Sequence, residues 1–537
     1  MRIVQAVAAA ALYTGFSLLL FAPPGAWPGL TFLGAGGDPL QFIWYLHWWP
    51  FALLHHLNPL FCAYVDAPAG TDLLWKTAIP TLALLAAPFA FGDDVAAYNV
   101  LMMAAPAAAA FTAYLAARGL SAGFVAALLG GTVFGFSSYE MSQVAGGHLN
   151  LCFTALLPLT LLAVVRLDAA RLAGAFGVLL ALEFGISQEI FATALLFGAL
   201  FGAAVYGLHP ELRPALRGKV RGLAGGLVIC VILVSPLLVP MLETYRRNKG
   251  DLPNPMQYSH DLLGFFVPTP VTLWGQRLEW FTVRFTGNFG EQGAWFGLLL
   301  PAVALAAWRR PAGAVLFAAS CIASLGPRLW VDGAQTGHRL PWYVATHLPL
   351  LGGILPNRLI LFAWLAGAIL LALWMTKWWR IGLVLLGLLT ILPGRALDAR
   401  WTHVDVPPVF ATLPAGAHIL ILPIYGNEIG FQYESGMRFY LTAQGYLSSA
   451  RPAPFRNWPG YEKLFDTVYG AVDPAQFAAF LKQYGVEDVV VLPDGYDSLG
   501  PSFPNAPAHA AALKLMRATG WRERADELFT PPPPPRP

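Results

Sequence analysis

Charge is what this 537-residue sequence has least of. Only 12% of its residues are Asp, Glu, Lys or Arg, about half the share of an ordinary soluble domain, while 57% are hydrophobic and the mean hydropathy is +0.56. That balance excludes a single soluble core. Cysteine is scarce as well: Cys62, Cys152, Cys230 and Cys321 are scattered, and three of them lie in apolar runs. This excludes a disulfide framework and a zinc-type spacing. There is no phosphate-binding glycine loop, no GxSxG elbow and no HExxH, which argues against an ATP-driven mechanism within this chain. The formal charge of +3 comes from basic residues in short clusters between apolar runs. That pattern suits a bilayer and gives no footing for nucleic acid.

Long apolar runs fill the first three quarters of the chain. The segment Ile3 to Phe21 follows Arg2 and is long enough to span; Pro23 and Pro24 stand where a clean cleavage site would be, so it reads as a retained helix. Further spans run from Val95 to Ala117, Gly123 to Tyr139, Leu149 to Val165, Leu172 to Ile186 and Ile190 to Tyr206. Five more run from Gly222 to Leu242, Trp295 to Trp308, Ala312 to Leu325, Leu359 to Met375 and Ile381 to Leu392. The fold class expected is an α-helical polytopic membrane protein of about 11 transmembrane helices with a small C-terminal α/β soluble domain. Residues 1–397 make the transmembrane domain, with outer-loop interfacial helices over about 23–92. Residues 398–529 form the soluble domain and 530–537 a proline-rich disordered tail.

Orientation hinges on Thr77 to Phe91, an apolar piece broken by Pro80 and Pro88 and closed by Gly92, Asp93 and Asp94. If it lies on the membrane surface, the connectors bearing Arg118, Arg166 and Arg171, Arg213 to Arg221, Arg309 and Arg310, and Lys377 and Arg380 all face the cytoplasm. The positive-inside rule is then obeyed at each. Only Arg246, Arg247 and Lys249, after Leu242, run against it. The reading is therefore a plasma (inner) membrane protein with a cytoplasmic N-terminus and an extracytoplasmic C-terminal domain. The first loop, the connectors with Glu140, His148 and Glu189, and the loop from Glu243 to Ala294 then gather on the outer face.

After Pro393 the apolar runs give way to shorter patterns. Ala417 to Ile424 and Glu487 to Leu492 read as buried strands, and Pro474 to Tyr484 as a helix with Phe477, Phe480 and Leu481 on one face. The closing TPPPPPRP has no core-forming side chains.

Few residues are placed to carry chemistry. Asp38, in Gly36-Gly37-Asp38-Pro39, suits a helix N-cap first of all, and compatibly with that a carboxylate at the membrane surface acting as general base or cation ligand. The helix after it is dense in Trp44, Tyr45, His47, Trp48 and Trp49, as in a helix lying in the headgroup layer. Glu189 falls in a tight connector between apolar spans, where a carboxylate is costly unless paired or wetted, and so reads as a second catalytic carboxylate. Lys76, Glu140, His148 and Arg358 are candidate substrate-binding residues. Lys76 and Arg358 suit a phosphate at headgroup depth, and their bland alternative is interfacial anchoring.

Several stretches together resemble the GT-C superfamily of membrane glycosyltransferases and a bacterial group of multi-pass putative glycosyltransferases. They are Gly37-Asp38-Pro39 with Trp44, Asn58-Pro59, Ala97-Tyr98-Asn99, Phe136-Ser137-Ser138-Tyr139, Gly147-His148-Leu149-Asn150, Ser187-Gln188-Glu189 and Leu325-Gly326-Pro327 with Leu340-Pro341-Trp342. Each motif is short; their order carries the likeness. The resemblance implies transfer of a hexose or pentose from a polyprenyl-phosphate carrier to an extracytoplasmic hydroxyl on a cell-envelope glycan, lipid or protein. Asp38 would deprotonate the acceptor or help hold a metal, with inversion at the anomeric carbon, and Lys76 or Arg358 would stabilise the departing phosphate. No second acidic residue adjoins Asp38, so metal ligands stay unassigned and Mg or Mn stands only as a candidate cofactor. Two other classes compete. One is a transporter or lipid-linked-sugar flippase using Glu183, Glu189 and His148, although no internal repeat is visible. The other is a non-catalytic envelope scaffold.

Overall fold

The computed structural model describes residues 2–532 except 24, 26, 76, 91, 246–255, 257, 349–350, 395–400, 425, 445–446, 448–451, 466–467, 493–505 and 525–527. Lys76, the basic group Arg246, Arg247 and Lys249, and residues 533–537 of the proline-rich tail lie outside the described residues.

The chain opens with α1 (Arg2–Phe21), β1 (Leu30–Leu33), α2 (Asp38–Leu54), β2 (Phe61–Cys62), β3 (Thr71–Asp72) and α3 (Pro80–Ala90). A helical run follows: α4 (Asp94–Gly119), α5 (Phe124–Gly135), α6 (Ser138–Gly146), α7 (Leu149–Cys152), α8 (Leu156–Arg166), α9 (Ala169–Phe184), α10 (Gln188–Leu208) and α11 (Arg213–Tyr245). Then come α12 (Glu279–Thr282), α13 (Leu299–Ala307), α14 (Pro311–Ser324), the hairpin β4 (Arg328–Val331) and β5 (Ala334–Arg339), α15 (Trp342–Ala345), α16 (Ile360–Trp374) and α17 (Trp378–Thr390). The remainder holds β6 (Trp401–Val404), α18 (Val409–Thr412), β7 (His418–Leu422), α19 (Glu428–Glu434), β8 (Tyr440–Leu441), α20 (Ala453–Arg456) and α21 (Tyr461–Phe465). It closes with α22 (Pro474–Gln483), β9 (Asp488–Val491), α23 (Ala506–Ala518), β10 (Arg522–Glu523) and β11 (Leu528–Thr530).

Among the described residues, seven stretches are long and apolar enough to cross a membrane: Ile3–Phe21, Asp94–Gly119, Phe124–Gly146, Leu149–Arg166, Gln188–Leu208, Pro210–Thr244 and Pro356–Trp374. The other four spans expected from the sequence fall on α9, α13, α14 and α17, which have 16, 9, 14 and 13 residues.

The first compact unit comprises residues 1–24, 99–239 and 252–400. Helix α16 (ILFAWLAGAILLALW) is apolar on every side and is buried for nearly its whole length, as such a helix must be. It packs on α5, α13 and α14. Close approach explains the glycines of α5: a Cβ on Gly130 would lie 2.8 Å from the Ala372 Cβ, and one on Gly135 would lie 2.3 Å from the Pro106 carbonyl.

The second unit comprises residues 25–98, 240–251 and 401–537. Its sheet runs β10-β11-β9-β7-β8, with β8, β7 and β9 parallel and β11 antiparallel to β9. The strands β7 and β9 fall within the two runs read as buried strands. Phe477, Phe480 and Leu481 on α22 join the core on one side. The first loop is built into this unit. Strand β1 pairs antiparallel with β6, Leu30 opposite Val404 and Leu33 opposite Trp401. Residues 64–67 run beside β8, with Ala67 N–H donating to Leu441 O and Leu441 N–H to Tyr64 O, both at 2.9 Å. A division at 397/398 that leaves the first loop with the transmembrane domain thus differs from the packing.

The aromatics of α2 also differ from their expected place. Trp44, Tyr45 and Trp48 are fully buried in protein, and Trp44 Nε1 donates to Gln432 Oε1 of α19 at 3.0 Å. Their indole and phenol groups find protein partners, so the density of aromatics reflects a core. Asp38 is the first residue of α2, and the N-cap position belongs to Gly37, with no side-chain cap bond. Helix α3 is roughly 16 Å long at 1.5 Å per residue, about half the thickness of a bilayer's hydrocarbon core. It packs on α2, and His47 Nδ1 lies 2.9 Å from Asp94 Oδ2 at the start of α4.

Candidate active site

The polar centre of the first unit is assembled from three helix starts and a loop. Ser187 caps α10 by accepting from Ile190 N–H at 3.3 Å, which sets Glu189 in the first turn, where a carboxylate suits the helix dipole. Pro356 begins a 3₁₀ turn over Pro356–Leu359 that carries Asn357 and Arg358 into α16. A second 3₁₀ turn, Phe289–Glu291, packs on α6. It is pinned by Trp364, whose ring stacks on Phe296 at 3.9 Å and whose Nε1 donates to Gly293 O at 3.0 Å. A Cβ on Gly293 would come within 2.7 Å of the Tyr139 backbone, so the loop needs glycine there.

These elements bring Arg358 between two carboxylates. Its Nη1 donates to Glu189 Oε2 and its Nη2 to Glu291 Oε1, each at 2.6 Å, while Nε reaches Glu291 Oε1 at 3.1 Å. Glu291 also accepts from Asn357 Nδ2 at 3.1 Å and Gln143 Nε2 at 3.4 Å, and Glu189 Oε1 accepts from Leu355 N–H at 3.1 Å. Gly147 ends α6 at φ +70°, a left-handed turn that swings His148 back so that its Nδ1 meets Gln143 Oε1 at 2.6 Å. The same nitrogen is 3.9 Å from Glu291 Oε1. Burial opposes the charge of Glu291, but Arg358 and His148 outweigh it and hold the carboxyl below the usual carboxylate range. The two carboxylates and one guanidinium sum to −1. The guanidinium has five N–H groups, and these contacts leave one on each Nη for a further acceptor.

Of the residues singled out in the sequence, the structure brings Glu189, Arg358 and His148 together. Glu140 stands apart: it is fully buried in the first turn of α6, its Oε1 accepts from Thr154 Oγ1, and its Oε2 has no partner among the described residues. Asp38 is half-buried and belongs to the second unit. Sequence reasoning missed Glu291, Gln143 and Asn357. A lone Glu inside the aromatic, glycine-rich NFGEQGAWFG was the available signal for the first. Among the described residues no three His, Cys, Asp or Glu side chains gather to hold a metal, and Arg358 already occupies the space between Glu189 and Glu291.

No protein-family model matches the chain, and no curated protein matches it. Solved structures do. The oligosaccharyltransferase of Archaeoglobus fulgidus, tethered with an acceptor peptide, aligns over 90% of this chain and 68% of its own, with 12% identity and a TM-score of 0.52. The same organism's oligosaccharyltransferase AglB, in complex with an inhibitory peptide and a dolichol-phosphate, aligns over 91% and 69%, with 13% identity and a TM-score of 0.52. The arabinofuranosyltransferase AftD from Mycobacteria aligns over 91% of this chain and 36% of its own, with 12% identity and a TM-score of 0.54. These are GT-C membrane glycosyltransferases. The chain is accordingly a polytopic membrane protein with the GT-C fold.

Proposed function

We propose that the protein is a membrane glycosyltransferase that moves a sugar from a polyprenyl-phosphate carrier to an acceptor hydroxyl outside the cytoplasm, with inversion. The observation that carries this is the GT-C fold over nine tenths of the chain, shared with oligosaccharyltransferase structures, one solved with a dolichol-phosphate and one with an acceptor peptide. In this reading Asp38 removes the proton from the acceptor hydroxyl as the anomeric carbon is attacked opposite the departing phosphate. Arg358, within the first unit, keeps two Nη hydrogens, donors suited to a phosphate oxygen. Glu189 and Glu291 then act as positioning residues that fix the guanidinium plane, with His148 and Gln143 behind them. Lys76 is a second cationic candidate for the phosphate.

A similar structure was solved in complex with Zn and sulfate, yet in this chain no cluster of three ligands forms among the described residues. Asp38 stands as the general base or as a ligand to a divalent cation. The extracytoplasmic placing of the second unit is supported by the basic connectors, which then all face the cytoplasm.

Transfer from radiolabelled polyprenyl-phosphate sugars to native envelope extract, using purified protein in lipid, tests the proposal. Turnover by the wild type that is lost in Asp38→Asn is the expected result. The substitution should leave folding intact, because a first-turn carboxylate contributes only about 0.3–1 kcal/mol. Full turnover by Asp38→Asn would remove Asp38 from the mechanism, and loss on chelation restored by Mg or Mn would make it a metal ligand.

A further inference from the structure

Helix α17 is short for a span. Its 13 residues reach roughly 20 Å against a hydrocarbon core of about 30 Å, so something must supply apolar height at its ends. At its N-terminal end Lys377 and Arg380 flank Trp378 and Trp379, an aromatic and basic anchor of the interfacial kind. At its C-terminal end the chain is zipped to the loop that precedes α12. Leu273 N–H donates to Leu392 O at 2.8 Å, Gly394 N–H to Val271 O at 3.0 Å, and Trp274 Nε1 to Leu389 O at 2.8 Å. These bonds fix residues 271–274 at the end of a helix whose outward side chains Leu385, Leu386 and Leu389 are apolar and uncovered.

The loop continues that apolar surface. Leu273 is 40% exposed, Trp274 54%, Trp280 73% and Val283 63%, within a stretch of twelve positions from Thr272 to Val283. Trp280 and Val283 stand three apart around the single turn of α12, on neighbouring positions of one helical face. Large apolar side chains exposed at this density are costly in water. Tryptophans with one polar edge bonded to a span's last turn are at home in the headgroup layer.

We propose that residues 272–283 form a membrane-seated foot, with Leu273, Trp274, Trp280 and Val283 in the headgroup–acyl boundary of the leaflet where α17 ends, completing that helix's apolar height. The occupant is the lipid surface itself. Eight residues after Val283 the chain reaches Glu291, so the foot ties the Glu291–Arg358 turn to a fixed depth. The proposal rests on the membrane fold alone and stands whether or not the protein transfers sugar.

Spin labels on Trp280→Cys and Val283→Cys, in the full chain in phosphatidylcholine–phosphatidylglycerol nanodiscs, test it by collision accessibility to oxygen and to a water-soluble nickel chelate. Both positions are exposed, so folding is preserved. The wild type is the labelling blank, since Cys62, Cys152 and Cys230 are buried and Cys321 half-buried. Ala334→Cys, in the exposed β4–β5 hairpin, is the aqueous reference. Oxygen collision should exceed nickel collision at 280 and 283 and the order should reverse at 334. Nickel-dominated collision at 280 and 283 equal to that at 334 would overturn the proposal, as would shielding from both reagents, the mark of a protein partner.

Discussion

Arg358 is bound on two sides, and this decides how its neighbours respond to change. Removing Arg358 leaves the buried Glu291 carboxylate uncompensated, at a cost of about 3–5 kcal/mol, and the half-buried Glu189 arm costs less to break, whereas the Glu140 side chain, bonded to Thr154, has no charged partner to strand among the described residues. His260 belongs to the same unit. It is buried in the loop before the Glu291 turn, and neither ring nitrogen meets a hydrogen-bond partner among the described residues. Desolvation pushes it down to about 4, against the opposing pull of Glu291. The unfolded chain takes up a proton near pH 6.5 that the folded chain refuses until about pH 4. Its stability is therefore full above about pH 6.5 and falls as pH drops through that window, by on the order of 3 kcal/mol. The melting temperature of the wild type in detergent should fall between pH 7 and pH 5, and His260→Gln should flatten that slope. Parallel slopes for the two proteins would discount His260. None of this was legible in sequence, because both the partners of Arg358 and the isolation of His260 come from segments far apart along the chain.

At the scale of elements, α2 shows how the same residues serve two readings. A helix rich in Trp and His next to a membrane span has the composition of an interfacial anchor, and composition does not say which side of the helix meets protein. The structure buries Trp44 against Trp48, with ring centroids 5.2 Å apart, and bonds it to Gln432, 388 positions away. Trp44→Ala should destabilise the second unit by about 3–5 kcal/mol, from the cavity and the stranded Gln432 carbonyl. The check is the thermal unfolding of the full chain followed by limited proteolysis of its C-terminal part. An unchanged melting temperature and cleavage pattern would show that α2 is peripheral to that core. By contrast β7, β9 and α22 were plain in sequence, since unbroken aliphatic runs and a helical spacing of Phe477, Phe480 and Leu481 are local signals.

For the whole molecule, the pairing of β1 with β6 requires the first loop and the C-terminal segment to lie on one side of the membrane. The number of crossings between them is then even. The ten spans read from Val95 to Leu392 satisfy that condition only if α3 stays on the surface. Single cysteines at exposed Ala334 and Ala475 should react with an impermeant maleimide in intact cells, and Ala215→Cys, among the basic residues that open α11, only after permeabilisation. The reverse pattern would invert the proposed topology and move the candidate site to the cytoplasm.

The sequence by itself determined that this is a polytopic membrane protein, where its long apolar runs lie, and, through the order of short motifs, its likeness to GT-C enzymes. These are properties of contiguous residues, carried by hydrophobicity and local spacing. Only the tertiary structure decided that the first loop folds with the C-terminal segment, that Arg358 is held by Glu189 and Glu291, and that the Trp residues of α2 form a core. Each depends on hydrogen bonds and packing between residues from about 70 to nearly 400 positions apart, for which a lone sequence has no register.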